Sequence, residues 1–274
     1  MTSGRFLRYG VLLALAPAIL AVALSGRAGV AFTSILHPAL VFVCALLSLW
    51  VANMYRSDLR RAFLLLSTFF TSYGLANVDA FVAQLRTAMG DAFLGVVFFW
   101  QVITYTVLLA ACVFVLRAIG AGKLTRGGFA VLGVLAAAAV GTVASAIPQT
   151  LDLYETDPIS ATLFLFIRVG DMVAMLLLVP VLLRYIQGAK AKYQESTSFV
   201  VIAAGITSSL VLAYFYELVR GMPLSEIALA EFHQGSVLDG LYIFGYVTVA
   251  AGLIAHRKHQ EWSFASLDER LESD

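Results

Sequence analysis

Apolar stretches about as long as a bilayer's hydrocarbon layer is deep recur from one end of this 274-residue chain to the other, separated by short charged or Gly/Pro-bearing breaks. A crossing helix needs about 20 apolar residues, because each adds about 1.5 Å along a core roughly 30 Å thick. Eight stretches approach or exceed that length: Tyr9 to Ser25, Ala31 to Tyr55, Ala62 to Val82, Ala92 to Leu116, Gly128 to Ile147, Ile159 to Ile186, Ser198 to Val219 and Val237 to His256. Lipid offers no water to a backbone N–H or C=O, so such segments fold as helices that satisfy their own hydrogen bonds. The expected fold class is all-α: a polytopic membrane helix bundle of seven core transmembrane helices, plus an N-terminal helix that is either an eighth span or a signal peptide. Only 13% of residues are charged and 61% are hydrophobic, against about 25% charged in soluble domains. A separate soluble domain has no sequence left to occupy.

The expected organisation is an N-terminal span or signal peptide over 1–30, the seven-helix bundle over 31–257 and a short cytoplasmic tail over 258–274. Arg5 and Arg8, a short apolar run and the small residues Ala21, Ala23 and Ser25 suit both readings of the first segment. The remaining helices keep one orientation in either case. Basic residues favour cytoplasmic loops. With the N-terminus inside, fourteen fall on that side: Arg5, Arg8, Arg56, Arg60, Arg61, Arg117, Lys123, Arg126, Arg184, Lys190, Lys192, Arg257, Lys258 and Arg270. Arg27, Arg86 and Arg220 fall opposite, and Arg168 lies within a span. The expectation is a multi-pass protein of the cell's inner membrane with a cytoplasmic C-terminus. The opposite loops are acidic, with Asp152, Glu155 and Asp157 in one and Glu226 and Glu231 beside His233 in another.

Arg168 and Asp171 are the sharpest chemical signal. A charge near the bilayer centre costs roughly 2.5 to 3.5 kcal/mol on insertion scales and usually faces a partner or a wet cavity. Three residues apart on a helix, these two can pair with each other. Further polar groups recur at helical spacing: Gln101, Thr104 and Tyr105 in the fourth span; Thr68, Ser72 and Asp79 in the third; Thr207, Tyr214 and Glu217 in the seventh; Asp239, Tyr242 and Tyr246 in the eighth. Depth counting places Asp79, Glu217 and Asp239 near the outer ends of their helices and Gln101, Arg168 and Asp171 deeper. The combined expectation is an outward-opening polar pocket with Arg168 and Asp171 towards its floor. The competing reading is that the Thr, Ser and Tyr groups tie helices together, at about 0.6 kcal/mol per bond, while Glu217 and Asp239 lie at headgroup level.

Several chemistries fit poorly. A retinal Schiff base needs a lysine within a late span, and Lys123, Lys190, Lys192 and Lys258 are all in loops or at ends. Integral haem needs paired histidines within the helices, yet His37 reads as lying at the outer edge, His233 in an outer loop, and His256 and His259 at the cytoplasmic end. The last two, flanking Arg257 and Lys258, read as a basic helix terminus that contacts headgroups. No phosphate-cradling glycine loop is present. Cys44 and Cys112 read as small apolar fillers at different depths. Gly133, Ala137, Gly141 and Ser145 mark a close helix contact, within the bundle or between copies. The halves show no internal repeat, and Pro180 is the one proline in the body of a late span. At the C-terminus, Trp262 and Phe264 can anchor at the interface, and Asp268 to Asp274 reads as a solvated acidic end.

The stretch from Trp50 to Phe81, a short basic turn leading into an aromatic-rich span, followed by Phe98 to Leu116, resembles the N-terminal seven-helix membrane sensor region of bacterial histidine kinases and related signalling proteins. The resemblance covers the second to fourth spans and rests on topology and texture. Those proteins continue into cytoplasmic signalling domains, whereas here about eighteen residues follow the last span. It implies a sensor role through a cytoplasmic partner recruited by the tail.

The expected function is therefore an integral membrane sensor or accessory protein, without enzymatic chemistry, that binds a small organic or lipid-like ligand. Its candidate ligand-binding residues are Asp79, Gln101, Tyr105, Arg168, Asp171, Tyr214, Glu217, Asp239, Tyr242 and Tyr246. A proton-coupled or other secondary carrier, with Asp171 titrating and Arg168 holding a substrate anion, is the first alternative; a structural subunit of a larger membrane complex is the second. Neither cofactor nor metal is expected. The expected partners are membrane lipids and a cytoplasmic signalling or complex partner, with no nucleic acid; the oligomeric state is left open.

Overall fold

The computed structural model describes residues 12, 15–20, 23–24, 26–119, 124–188 and 237–273. It is 94% helical, with no strand among the described residues. The expected seventh span, Ser198 to Val219, lies outside these residues, as does part of the first. The main elements are α1 (Gly26–Ala52), α2 (Asp58–Ala76), α3 (Asp79–Met89), a 3₁₀ turn (Gly90–Ala92), α4 (Phe93–Ile119), α5 (Arg126–Thr156), α6 (Pro158–Gly188) and α7 (Val237–Ser273).

Local chemistry sets the boundaries. Ser57 has extended backbone at the start of α2, its carbonyl accepts from the Arg60 N–H at 3.0 Å, and Asp58 places negative charge in the first turn. At the other end the Asn77 amide donates to the Tyr73 carbonyl at 2.7 Å and its N–H to Gly74 at 3.1 Å, closing the helix before extended Val78. Gly90, at φ +51°, takes the left-handed conformation that glycine adopts without steric cost and turns the chain into α4. The Thr125 hydroxyl accepts from the Gly128 N–H at 3.2 Å at the start of α5. Asp157 separates α5 from α6: its carboxylate accepts from the Ser160 N–H at 3.0 Å and the Ser160 hydroxyl at 2.6 Å, and Pro158 opens the helix without needing a donor.

The helices pack as a series, α7 on α1, α1 on α2, α2 on α4, α4 on α6 and α6 on α5. Val41 and Ala45 of α1, Phe63, Leu66 and Phe70 of α2, Leu108 and Ala111 of α4 and Val249 and Leu253 of α7 fill the seam between them. Among the described residues three stretches are long and apolar enough to cross a membrane: Ala28–Ala52, Asp79–Ala118 and Pro158–Pro180; Arg126–Gly141 is apolar but shorter.

Several expectations change. The third apolar run does not form one span, because Asn77 ends α2 and a new, exposed helix begins at Asp79. The acidic segment after Ile147 continues α5 to Thr156, breaking only at Asp157. Residues 258–273 extend α7, so the tail is helical. Gly133, Ala137 and Gly141 are exposed, and a methyl group added at either glycine would meet nothing within 4 Å. Among the described residues α5 buries Ala139 instead, and Gly133, Ala137 and Gly141 make no close helix contact there.

Candidate functional site

Arg168 and Asp171 lie 10 and 13 residues after Pro158, which at about 1.5 Å per residue puts them roughly 15 and 20 Å along the apolar part of α6. They are 1% and 2% exposed. The Tyr105 hydroxyl of α4 donates to Asp171 Oδ1 at 2.6 Å, within the range of a bond to an ionised acceptor. The guanidinium of Arg168 lies over the Phe164 ring, 4.0 Å from its centroid, close enough for cation–π attraction.

The expected pairing between these charges is not among the ion pairs of the described residues, which join Arg61 to Asp58, and Arg257 and Lys258 to Glu261. Helix side chains lean towards the N-terminus. That direction carries Arg168 back onto Phe164 and away from Asp171; the favourable order on a helix puts the acid first.

Gly170 explains how Tyr105 gets so close. A Cβ at residue 170 would stand 2.5 Å from Tyr105 Cδ1, 3.0 Å from Cε1 and 3.2 Å from Cγ. The tyrosine ring therefore lies on bare α6 backbone between the two charged residues, with Phe166 edge-on at 6.0 Å.

A second group of rings adjoins this one. His37 of α1 contacts Tyr73 of α2 edge-on at 6.2 Å between centroids, and Tyr242 and Tyr246 of α7 at 5.6 and 5.3 Å. Tyr73 and Tyr246 are 6.3 Å apart. Tyr105 interacts electrostatically with Tyr73 and Tyr242, and the charge of Asp171 reaches Tyr73. Counting from the helix ends that carry Arg56, Arg61 and Arg117 shows why they meet. His37 lies 15 residues from Ala52, Tyr73 15 from Asp58, and Tyr105 14 from Ile119. At about 1.5 Å per residue these sit at a common level roughly 21 to 23 Å in.

The candidate residues thus divide. Tyr105 and Asp171 meet directly, Arg168 lies over Phe164 one turn earlier on α6, and Tyr242 and Tyr246 belong to the ring group around His37. Gln101 is half-buried one turn before Tyr105, and Asp239 stands in the first turn of α7. Asp79 is exposed at the start of α3, just past the end of α2. Tyr214 and Glu217 lie outside the described residues. Ser72 and Thr104 serve the structure: their hydroxyls bond at 2.5 Å, and the Trp100 indole N–H donates to Ser72 Oγ at 2.7 Å, tying α2 to α4. Thr68 is exposed and turns its hydroxyl to the Leu64 carbonyl of its own helix.

Sequence reasoning missed His37, Tyr73 and Gly170. His37 was set at the outer edge by starting its helix at Ala31; α1 begins at Gly26, which places His37 eleven residues inside. Tyr73 was hidden in an aromatic-rich run, although it lies one residue after Ser72. Gly170 carries no sequence signal beyond its position between two charges.

The basic end of α7 also differs from expectation. His256 is 0% exposed, shares a hydrogen bond with the Tyr55 hydroxyl, and lies against Tyr55 and Phe63 at 5.8 and 5.6 Å. Arg257 Nη1 donates to the Trp50 carbonyl at 2.6 Å, its guanidinium covers the Trp50 ring at 4.6 Å, and its Nε donates to Glu261 at 2.7 Å. These residues fasten α7 to the turn between α1 and α2 and do not present His256 to headgroups. Cys44 and Cys112 are buried and free, and the Cys44 thiol donates to the Tyr246 carbonyl at 3.4 Å. Compared with models of known protein families, with curated proteins and with solved structures, the chain matches none.

Proposed function

We propose that this chain is a multi-pass, seven-helix membrane sensor or accessory protein that binds a small organic or lipid-like ligand at the Tyr105–Asp171–Arg168 cluster, with its basic helix ends and C-terminus facing the cytoplasm. The observation that carries the reading is the burial of an arginine and an aspartate midway along an apolar helix, with the carboxylate held by Tyr105 across a neighbouring helix. Burying a charge is costly, and intramembrane charges usually mark sites of function. Tyr242 and Tyr246 extend the polar surface by aromatic groups that can both stack and hydrogen-bond. The likeness of Trp50 to Phe81 and Phe98 to Leu116 to sensor regions points the same way.

The test is thermal stabilisation of the purified chain in lipid discs by short- and long-chain carboxylates and amines. A ligand at a hundred times its dissociation constant stabilises the folded state by about 2.7 kcal/mol. Wild type gains that stability and Asp171→Asn and Arg168→Ala do not, although both still insert. Absence of stabilisation in wild type, or its persistence in both variants, refutes the reading. A carrier is favoured instead by flux in reconstituted vesicles that follows pH and vanishes in Asp171→Asn; the Tyr105 bond to a buried carboxylate is the feature that would serve it.

A further inference from the structure

His37 is a second polar centre, distinct from the charges on α6. Its imidazole lies inside α1 where ring contacts arrive from two other helices: Tyr73 from α2, and Tyr242 and Tyr246 from α7. These three are the titratable groups facing it among the described residues; beyond them stand Tyr105 and the carboxylate of Asp171, whose charge reaches Tyr73. The next residue along α1 is Pro38, within the helix and buried. Proline has no N–H, so the Ser34 carbonyl one turn earlier loses its usual intrahelical donor and the helix is weakened there.

We infer that His37 is a proton-sensing switch, whose protonation places a cation among three tyrosine rings and changes the bend of α1 at Pro38. Imidazole is the side chain whose ordinary titration falls within the physiological range. Partial burial favours the neutral ring, while aromatic rings within about 6 Å favour the cation. The phenol oxygens can turn lone pairs towards the imidazolium N–H groups, so each protonation state has a different arrangement of Tyr73, Tyr242 and Tyr246. Those side chains belong to the helices that flank α1, and a weakened turn beside the ring lets their rearrangement become a change of helix angle. The switch needs only a proton, so it stands or falls separately from ligand binding at Asp171.

The experiment follows the tyrosine bands in the near-UV circular dichroism of the full chain in lipid discs between about pH 5 and pH 8. Wild type shows one reversible transition, lost in His37→Gln and kept in His256→Gln. Tyr242→Leu removes one ring and lowers the midpoint by about half a pH unit. Pro38→Ala restores a backbone donor, keeping the midpoint and at least halving the amplitude. A transition that survives His37→Gln, a wild-type spectrum that does not change over this range, or an unmoved midpoint in Tyr242→Leu overturns the switch; full amplitude in Pro38→Ala overturns the hinge. Should His37→Gln fail to assemble, the Tyr242→Leu midpoint decides.

Discussion

Gly170→Ala is the smallest change that tests how the Tyr105–Asp171 contact is made. The new methyl carbon would stand 2.5 Å from Tyr105 Cδ1, with Cε1 and Cγ also within 3.2 Å, so a rigid ring edge has to retreat by about 1 Å to reach ordinary contact distance. A retreat of that size opens the 2.6 Å bond to Asp171 to about 3.6 Å, beyond hydrogen-bond range. Overpacking of this kind costs about 1–3 kcal/mol, and the lost bond to a charged acceptor about 1.5–3 kcal/mol in water-soluble proteins, less in membrane bundles. Alanine recovers about 1 kcal/mol through its better helix propensity. The net expected loss is about 2 kcal/mol, measured by reversible unfolding in mixed micelles. The double-mutant cycle makes the assignment: in a Tyr105→Ala background the ring is gone, and Gly170→Ala becomes neutral or mildly stabilising. A Gly170→Ala protein as stable as wild type, or one equally destabilised with and without the Tyr105 ring, refutes the close-approach argument.

Two further predictions concern the ends of helices. Hydrogen bonds from the Ser160 hydroxyl and N–H hold the Asp157 carboxyl below its ordinary value of 3.8, so the cap's contribution is present above that pH and is lost as pH falls through the lowered folded value. The difference in thermal midpoint between wild type and Asp157→Ala is therefore constant above about pH 5 and shrinks below pH 4; a difference that does not change down to pH 3 contradicts the capping role. Arg257→Ala removes the Trp50 carbonyl bond and the ring contact together, and is expected to destabilise by about 1–3 kcal/mol, whereas Glu261→Gln, at a partly exposed ion pair, costs under about 1 kcal/mol. Equal effects of the two would mean that the surface pair and not the Trp50 contact holds α7.

Much of this was legible in the sequence wherever a single helix decided the outcome. The extents of α4 and α6 followed from uninterrupted apolar runs, and Tyr105 and Asp171 stood out because a polar group in such a run is costly. What escaped were features set by neighbouring side chains. Arg168 turns to Phe164 through the lean of helix side chains, which spacing alone does not encode. The closure of α2 at Asn77 depends on an amide reaching back to Tyr73, yet hydropathy read straight through it to Val82. His256 looked like part of a basic terminus because its neighbours are charged; only the packing of Tyr55 and Phe63 against it reveals a buried ring.

The unbroken course of α7 has a mechanical consequence. His256 and Arg257 hold the helix against the α1–α2 turn like a fulcrum, ten residues beyond Tyr246 and seventeen short of Ser273. At about 1.5 Å per residue the two arms measure roughly 15 and 26 Å. If the helix pivots as a rigid rod, a sideways displacement of 1 Å at the tyrosines emerges as about 1.7 Å at the far tip, in the opposite direction.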